Sequence, residues 1–354
     1  MRLSDPNGYA FLQQGRGWVG NGVRLRHTPE GPGRFDEAAD WALDSLAPDD
    51  VAFASFTFTG GPGSALVVPE QVGRSGPGDP SPPSLQHVDG RIRYAGSSID
   101  EVKWMEAVAT ATDRIRAGAY DKVVLARDLH VWADYELDPI SLTQRLSQRF
   151  PSCMTFLHER FVGATPELLL RREGLTVTSI VLAGTAAPDE ASGRALLRSA
   201  KDHAEHVFAR DSAVASLAPF CQTLVADEQP WLLRLDNLQH LATRIEGTLV
   251  TDTHVLLMVG ALHPTAAVGG SPHEAAVPDI AQLEGMDRHR YAAPVGVVDG
   301  RGDGTFGIAL RCAQLEGSRA RLFAGGGIVA DSLPDAELEE TRLKLRAMQS
   351  VLGG

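Results

Sequence analysis

Lysine is scarce in this chain, and its rarity draws attention to the few positions that have it. Of 33 lysines and arginines, only four are lysine: Lys103, Lys122, Lys201 and Lys344. Arginine stays protonated under ordinary conditions, whereas a lysine removed from water can lose its proton and act as a base. Lys122 opens the apolar run Lys122-Val-Val-Leu-Ala-Arg127, which is typical of a buried strand. The sequence therefore makes Lys122 a candidate general base.

Two carboxylates and a lysine share one face of the last predicted helix. Glu337, Glu340 and Lys344 are three and four residues apart, and side chains at these spacings are neighbours on a helix. A solvated, salt-bridged surface is one explanation. A Mg²⁺ site is the other, because Mg²⁺ prefers oxygen ligands and usually takes only one or two carboxylates. The preceding glycine run, 325–327, and a second acidic helix at Glu205 favour the metal site.

A further acidic residue, Glu167, lies between a proline and a leucine run in Gly163-Ala-Thr-Pro-Glu167-Leu-Leu-Leu170. Partial removal from water raises the pKa of a carboxyl group, which is what a general acid at neutral pH requires. An ordinary glutamate at the mouth of a strand would look the same in sequence. Glu167 is therefore a candidate acid, and a purely structural role stays open.

The segment His203-Ala-Glu205-His206 allows a different hypothesis, a zinc-dependent hydrolase. The inverted zinc-protease pattern H-x-x-E-H would need histidine at position 202, where this chain has Asp202. Two histidines three residues apart, without a third ligand nearby, make an incomplete zinc site. The zinc hypothesis predicts zinc in the purified protein, which separates it from the Mg²⁺ hypothesis.

The composition argues against several classes of protein. A net charge of −12 without a basic block disfavours nucleic-acid and anionic-membrane partners. No apolar stretch approaches the roughly 20 residues of a membrane span, and the first residues carry no apolar signal core. Three cysteines, far apart and odd in number, indicate a reducing compartment. We therefore expect a cytoplasmic protein.

The elements that must position these side chains are mainly strands. Apolar runs predict strands at 122–132, 153–158, 167–171, 176–182, 231–235, 241–250, 293–299, 305–314 and 320–324, and helices at 98–116, 196–217, 274–284 and 336–351. A capping box at Ser98 to Glu101 begins the first of these helices. This order indicates an α+β fold with an extensive, mostly antiparallel sheet and flanking helices. We expect residues 1–95 to be integrated into the same single domain, with a flexible Gly/Pro loop at 72–93, and residues 97–354 to form the catalytic core.

Taken in order, these segments resemble the chorismate-binding enzymes, which include isochorismate, salicylate, anthranilate and aminodeoxychorismate synthases. The similarity covers residues 97–354. It is carried by Lys122-Val-Val-Leu-Ala-Arg127, Gly163-Ala-Thr-Pro-Glu167, Leu182-Ala-Gly-Thr185, Lys201-Asp-His-Ala-Glu-His206, Leu238-Gln-His-Leu-Ala-Thr243, His263-Pro-Thr-Ala-Ala-Val-Gly269, Ala309-Leu-Arg-Cys312, Phe323-Ala-Gly-Gly-Gly-Ile-Val329 and Glu337-Leu-Glu-Glu340-Thr-Arg-Leu-Lys344. The resemblance implies the large α+β domain of anthranilate synthase component I.

Within this family the resemblance favours isochorismate synthase, an isomerase. It makes Lys122 the base that activates water for attack at C2 of chorismate, where anthranilate synthases usually have glutamine and use ammonia. Ala183 stands where aminodeoxychorismate synthases often have a nucleophilic lysine. Salicylate synthase, which also eliminates pyruvate, is the alternative. Ala267-Val268 resembles the isochorismate-synthase form, whereas Tyr291 also suits salicylate synthases.

The resemblance implies roles for the remaining positions. Glu167 would protonate the departing C4 hydroxyl, and Glu205, Glu337 and Glu340 would hold Mg²⁺. The implied substrate-binding residues are Gly184, Thr185, His240, Ala267, Tyr291, Arg311, Ala324, Gly325 and Lys344. We expect a monomer without a glutaminase subunit. Use of the product in menaquinone, siderophore or salicylate biosynthesis stays open, as does a non-catalytic protein that only binds chorismate.

Overall fold

The fold consists of two large sheets with helices around them. The computed structural model describes residues 1–76, 90–235 and 238–353. Within these ranges the chain forms two ten-stranded sheets and eight α-helices. All described strand pairs are antiparallel. The predicted α+β class, with extensive antiparallel pairing and flanking helices, is confirmed.

The described elements have the following bounds. The strands are β1 (Tyr9–Gln13), β2 (Arg16–Asn21), β3 (Leu25–His27), β4 (Val51–Ser55), β5 (Ala65–Val68), β6 (Gln71–Ser75), β7 (Ile92–Tyr94), β8 (Lys122–Ala133), β9 (Met154–His158), β10 (Phe161–Thr165), β11 (Leu168–Glu173), β12 (Thr176–Ala186), β13 (Cys221–Ala226), β14 (Trp231–Arg234), β15 (Gln239–Leu249), β16 (Gly270–Ser271), β17 (Pro294–Asp299), β18 (Gly304–Ile308), β19 (Cys312–Glu316) and β20 (Arg319–Ile328). The α-helices are α1 (Arg34–Ser45), α2 (Glu101–Arg116), α3 (Pro139–Arg149), α4 (Glu190–Leu196), α5 (Ala200–Leu217), α6 (Val255–Leu262), α7 (His273–Glu284) and α8 (Pro334–Leu352).

The two sheets draw strands from both ends of the chain. Sheet A runs in the spatial order β16-β8-β20-β19-β10-β9-β1-β2-β6, with β7 beside β8. Sheet B runs in the order β13-β15-β12-β11-β18-β17-β4-β5-β3, with β14 beside β15. The N-terminal strands β1, β2 and β6 therefore pair within sheet A, and β3, β4 and β5 pair within sheet B.

The hydrophobic core lies between the two sheets. Phe156 and Phe161 from sheet A share one almost fully buried cluster with Phe53 and Phe306 from sheet B. A second cluster packs α3 and α8 on sheet A, with Leu146 of α3 fully buried in it. Removal of these apolar side chains from water is the main stabilising contribution to the fold. Among the described residues, no helix is long and apolar enough to span a lipid bilayer.

Two predicted helices differ in detail from the structure. Helix α2 begins at Glu101, and its cap is Asp100, which accepts a hydrogen bond from the Lys103 backbone N–H at 2.9 Å. The predicted cap, Ser98, instead donates its backbone N–H to Asp128 at 2.6 Å. The predicted helix at 196–217 begins later, at Ala200 of α5, because Ser199 caps it, and Leu196 is the last residue of a separate helix, α4.

The region predicted as a loop at 72–93 is partly strand. Strand β6 continues to Ser75 and β7 begins at Ile92. Residues 77–89 lie outside the described residues. The sequence prediction also missed helices α1, α3 and α6 and strands β10 and β13.

The segment predicted as one strand at 305–314 is broken at a corner between the sheets. Strand β18 ends in sheet B at Ile308, and β19 begins in sheet A at Cys312. Arg311, in the corner, has a φ of +44°, a left-handed conformation that is uncommon for residues other than glycine. Such backbone strain is often found at functional sites.

Candidate active site

A cavity of about 180 Å³ is lined by every position that the family resemblance marked as a site residue, but not by His203 or His206 of the zinc hypothesis. Its lining includes residues of β8 and β20 from sheet A, of β12 and β15 from sheet B, and of helices α5 and α8. The predicted site residues that line it are Lys122, Glu167, Gly184, Thr185, Glu205, His240, Ala267, Tyr291, Arg311, Ala324, Gly325, Glu337, Glu340 and Lys344. In sequence order, the first of these lining residues is Lys122 and the last is Lys344, so the fold brings together positions up to 222 residues apart.

Lys122 is the first residue of β8 and is almost completely buried. Its ammonium Nζ donates a hydrogen bond to Glu205 Oε1 of α5 at 2.6 Å. Gly327 of β20 lies against this pair: a Cβ there would be 2.7 Å from Lys122 Cε and 3.1 Å from Glu205 Oε1. A side chain at this position would push both groups out of their present positions, so the third residue of the glycine run has a steric role beside the candidate base.

Glu167 lies between β10 and β11, with 5% of its surface exposed. Burial raises the pKa of its carboxyl group to about 8, although Lys122 and Arg311 lower it by their positive charges. At neutral pH the group is therefore mainly protonated and can donate a proton. The direction of this shift agrees with the sequence prediction for a general acid.

A chain of hydrogen bonds fixes the orientation of Arg311. A guanidinium can only donate, so His240 Nε2 accepts from Arg311 Nη2 at 3.0 Å. The ring proton of His240 is therefore on Nδ1, which lies 3.3 Å from the Gly184 carbonyl oxygen and 3.1 Å from Thr185 Oγ1. Burial, together with the positive charges of Arg311 and Lys344, holds the pKa of His240 well below its usual value, so the ring is neutral.

Two further nitrogens of Arg311 remain available for a ligand. Nε and Nη1 are buried and have no hydrogen-bond partner among the described residues. Burial also lowers the pKa of this guanidinium. Because a buried charged donor without a partner is costly, the arrangement favours an anion. A carboxylate matches the planar guanidinium best.

Two aromatic rings form another wall of the cavity. The rings of Tyr291 and Phe323 are stacked, with centroids 5.1 Å apart and planes 9° apart. A Cβ at Gly325 would be 3.1 Å from the Tyr291 hydroxyl, so glycine lets the hydroxyl approach the β20 backbone. Burial raises the pKa of Tyr291, and its hydroxyl stays a neutral hydrogen-bond donor.

The predicted metal ligands surround the glycine run. On α8, Lys344 Nζ donates to Glu340 Oε1 at 2.6 Å and to the Gly325 carbonyl at 2.8 Å. Glu337 Oε1 accepts a hydrogen bond from Ser332 Oγ at 2.7 Å. A Cβ at Gly326 would be 3.1 Å from Glu337 Oε2 and 4.0 Å from Glu340 Oε1.

The donor chemistry of these carboxylates fits a magnesium ion. All donors are oxygen, as Mg²⁺ prefers, and the absent side chains of the glycine run leave the carboxylates open to the cavity. In the described parts of the chain, no three His, Cys, Asp or Glu side chains are close enough to hold a metal as they stand. Glu205 and Glu340 each form an ion pair with a lysine instead.

The histidines of the zinc hypothesis point to different neighbours. His203 contacts the Leu197 carbonyl oxygen through Nε2 at 2.9 Å, whereas the buried His206 contacts Thr243 Oγ1 at 2.7 Å. Burial lowers the pKa of His206 to about 4, so its ring is neutral. The two rings do not form a ligand pair with Glu205, and the metallohydrolase hypothesis loses its support.

Several lining residues were not predicted from the sequence as site residues. They are Val124, Pro166, Leu182, Ala183, Asp202, Val268, Arg288, Ala292, Leu310, Phe323, Gly326, Gly327 and Val329. Gly326 and Gly327 belong to the glycine run 325–327, which is visible in the sequence, but their closeness to Glu337 and Lys122 is visible only in the structure. Arg288 had no such signal: its partner Glu284 is four residues away on the preceding helix, as in many surface pairs, yet both are buried.

Comparisons with known proteins show which family this chain resembles. Residues 80–353 match the family model described as chorismate binding enzyme. The chain is 38% identical over 282 residues to isochorismate synthase MenF of Bacillus subtilis (strain 168), covering 77% of this chain and 60% of that protein. It is 41% identical over 266 residues to the salicylate biosynthesis isochorismate synthase of Pseudomonas aeruginosa, covering 72% of this chain and 56% of that protein.

A solved structure is similar over nearly the whole length. It is DhbC from Bacillus anthracis, a protein assigned as a 2,3-dihydroxybenzoate-specific isochorismate synthase. The TM-score is 0.90 at 28% identity, covering 99% of this chain and 97% of that one. With the family model matching most of the chain, this protein belongs to the chorismate-binding enzyme family.

Proposed function

We propose that this chain is a Mg²⁺-dependent isochorismate synthase that converts chorismate to isochorismate. The observation that carries the proposal is one cavity holding a candidate base, Lys122, a protonated candidate acid, Glu167, and the unsatisfied guanidinium of Arg311. The relatives named above carry isochorismate synthase names. The matches span only 60% and 56% of the length of those two proteins. The activity of this chain is therefore proposed from its site.

Chorismate carries two carboxylates, so its binding rests on the cations of the cavity. Arg311 and the Tyr291 hydroxyl would hold the enolpyruvyl carboxylate, the guanidinium by two parallel hydrogen bonds. Glu205 and Glu340 would hold Mg²⁺, with Glu337 directly or through water, and the metal would supply positive charge to the ring carboxylate. Lys344 adds a further cation near this end.

The other proposed binding positions shape the pocket around the ring. His240 keeps Arg311 in place through the hydrogen bond to Nη2. Gly184 and Thr185 hold the imidazole, and Ala267, Ala324 and Gly325 line the cavity. His240 and the other residues of this group are uncharged, which leaves the anion-binding role to the cations.

The chemistry is an allylic displacement. Lys122, in its neutral form, would take a proton from water, whose oxygen forms the new bond to C2. The ring double bonds shift, the C4–oxygen bond breaks, and Glu167 donates a proton so that the hydroxyl leaves as water. Each of the two groups would contribute on the order of 10²–10⁴ in rate.

Salicylate synthase is the second candidate function, and the tyrosine at position 291 supports it. Salicylate synthases also tend to have tyrosine at this position. Ala267 favours isochorismate synthase over salicylate synthase. Both enzymes share the first step, so only the products separate them.

The test is incubation of purified protein with chorismate, with and without Mg²⁺, followed by chromatographic separation of products. Isochorismate that forms only with Mg²⁺ would support the proposal. Salicylate and pyruvate at a comparable rate would move the protein to the salicylate branch. Chorismate that is bound but unchanged would favour a non-catalytic binding protein. Zinc in the purified protein would instead support the zinc-dependent hydrolase hypothesis.

We further propose a cytoplasmic monomer that works without a glutaminase subunit. Water rather than ammonia is the nucleophile, so no ammonia source is needed. The three cysteines are free, in accord with a reducing compartment. Because its strands pair within both sheets, the segment 1–95 is proposed to fold with the catalytic core 97–354 as one domain.

A further inference from the structure

A second cavity, of about 520 Å³, lies beside the candidate active site. We call it the arginine cavity; its lining includes Trp132, Phe161, Arg290, Arg319, Arg321 and Phe323. Its volume is in the range of small-molecule sites. None of the reaction steps proposed above uses it.

Guanidinium groups and aromatic rings are paired throughout this cavity. Arg290 lies over the Phe161 ring, with 5.4 Å from Cζ to the centroid, and Arg319 lies over the Trp132 ring at the same distance. Arg321 lies over Phe323 at 4.8 Å. Such walls suit a flat ligand that carries negative charge, because the outer faces of the guanidiniums can stack on its ring and their N–H groups can bind its anionic group.

The positive charge of the cavity is only partly neutralised. Arg321 Nε donates to the buried Asp128 at 2.7 Å, and Arg288, which also lines the cavity, pairs with the buried Glu284. Arg290 donates instead to two neutral acceptors of His158, its carbonyl oxygen at 3.0 Å and its Nδ1 at 3.2 Å.

Arg290 and Arg319 are the cations left for a ligand. Neither forms an ion pair with a carboxylate among the described residues. Burial and the positive charge of Arg26 lower the pKa of Arg290 to about 10. The charged form of Arg290 would therefore be stabilised by a bound anion. One carboxylate, Glu316, is among the described lining residues and opposes an anion there.

We propose that the arginine cavity is a binding site for a small aromatic carboxylate, separate from the chorismate site. The ring would pack against the exposed side chain of Trp132 and against the guanidinium planes that cover Phe161 and Phe323. Its carboxylate would bind Arg319, with Arg290 as the second available cation of the cavity. Phe323 lines both cavities and stacks on Tyr291, so the two sites share one aromatic wall.

The experiment titrates the protein with 4-hydroxybenzoate and follows tryptophan fluorescence, with calorimetry as a second measure of binding. Trp132 lies in the cavity wall, so saturable quenching is expected, and W132F should bind by calorimetry with a reduced fluorescence signal. Arg319 is exposed, so R319Q should fold normally and weaken binding about tenfold or more. E316Q should tighten binding several-fold, because it removes a repelling charge.

Three controls make the site assignment specific. R149Q removes an exposed arginine on α3 that does not line the cavity and should leave binding unchanged. R311Q removes the main carboxylate-binding group of the chorismate site and should also leave it unchanged. The neutral 4-hydroxybenzamide should bind much more weakly. Three results would overturn the proposal. They are loss of binding in R311Q but not in R319Q, equal binding of the amide and the acid, and no saturable binding at millimolar concentration.

Discussion

Replacement of Glu167 by glutamine tests the acid half of the proposed chemistry. Glutamine has nearly the same shape and can donate a hydrogen bond, but it cannot transfer a proton. The cavity should therefore keep its form while turnover of chorismate falls by on the order of 10²–10⁴. KM should change little, since Arg311 and the other cations stay in place.

The size of the pKa shift supports this role. Burial raises the pKa of Glu167 from the ordinary 4.5 to about 8, which corresponds to about 5 kcal/mol of preference for the protonated form. Wild-type kcat should therefore be sustained at neutral pH and fall as the pH rises through about 8, where the acid loses its proton. The residual activity of E167Q should lack this decline.

The same shift has a consequence for stability. The folded-state pKa lies above the unfolded value, so the stabilising contribution is fully present below pH 4.5 and is lost as the pH rises through about 8. E167Q cannot ionise and should lose less stability than the wild type between about pH 4.5 and 8. Chemical denaturation at several pH values measures this difference.

The assay is steady-state kinetics with chorismate from about pH 6 to 9, together with melting temperatures. The matched control is E173Q, which removes an exposed carboxylate at the far end of the strand that follows Glu167, β11, and should behave as wild type. Turnover by E167Q within about tenfold of wild type, with the decline above pH 8 retained, would refute the assignment of Glu167 as the acid.

Three other substitutions test the remaining parts of the site. K122Q should lower kcat by on the order of 10²–10⁴ with the fold intact by circular dichroism; near-normal turnover would remove Lys122 from the mechanism. E340A should lose activity and its dependence on Mg²⁺ concentration, whereas E339A, at an exposed neighbour on α8, should keep both; full Mg²⁺-dependent turnover by E340A would place the metal elsewhere. G327A should strongly reduce turnover, because its Cβ would be 2.7 Å from Lys122 Cε, whereas G33A, with open space around the added Cβ, should not; a fully active G327A would show that the crowding is relieved by movement.

Apolar patterns predicted most of the elements that hold the site, and the exceptions have physical reasons. Helix α6 is apolar at nearly every position, so it has no 3.6-residue pattern to separate it from a buried strand. Helix α3 has a local start signal in the sequence, because Asp138 is its N-cap and Pro139 its first residue, but a start signal alone does not show how far a helix continues.

The corner at Arg311 could not be predicted from alternation of apolar residues. Strands β18 and β19 both read as strand, and nothing local shows that the chain passes from sheet B to sheet A between them. The left-handed conformation of Arg311 arises from this crossing. The candidate site residues themselves were found because family motifs mark them, and the structure places them around one cavity.

The contacts between side chains within the site could not be predicted from the sequence. Lys122 and Glu205 are 83 residues apart, and their ion pair exists only because α5 packs near the start of β8. The hydrogen bond between His240 and Arg311 likewise joins β15 to the corner between the sheets. Long-range pairs of this kind depend on packing, which one sequence does not report.

Conversion of chorismate in water enriched in ¹⁸O tests the central claim most directly. If Lys122 activates water for attack at C2 while the C4 hydroxyl leaves, the isochorismate formed should carry one solvent oxygen at C2, as mass spectrometry of the product would show. Isochorismate whose C2 oxygen is unlabelled would mean that the hydroxyl migrates within the substrate, and it would contradict the mechanism proposed for this site.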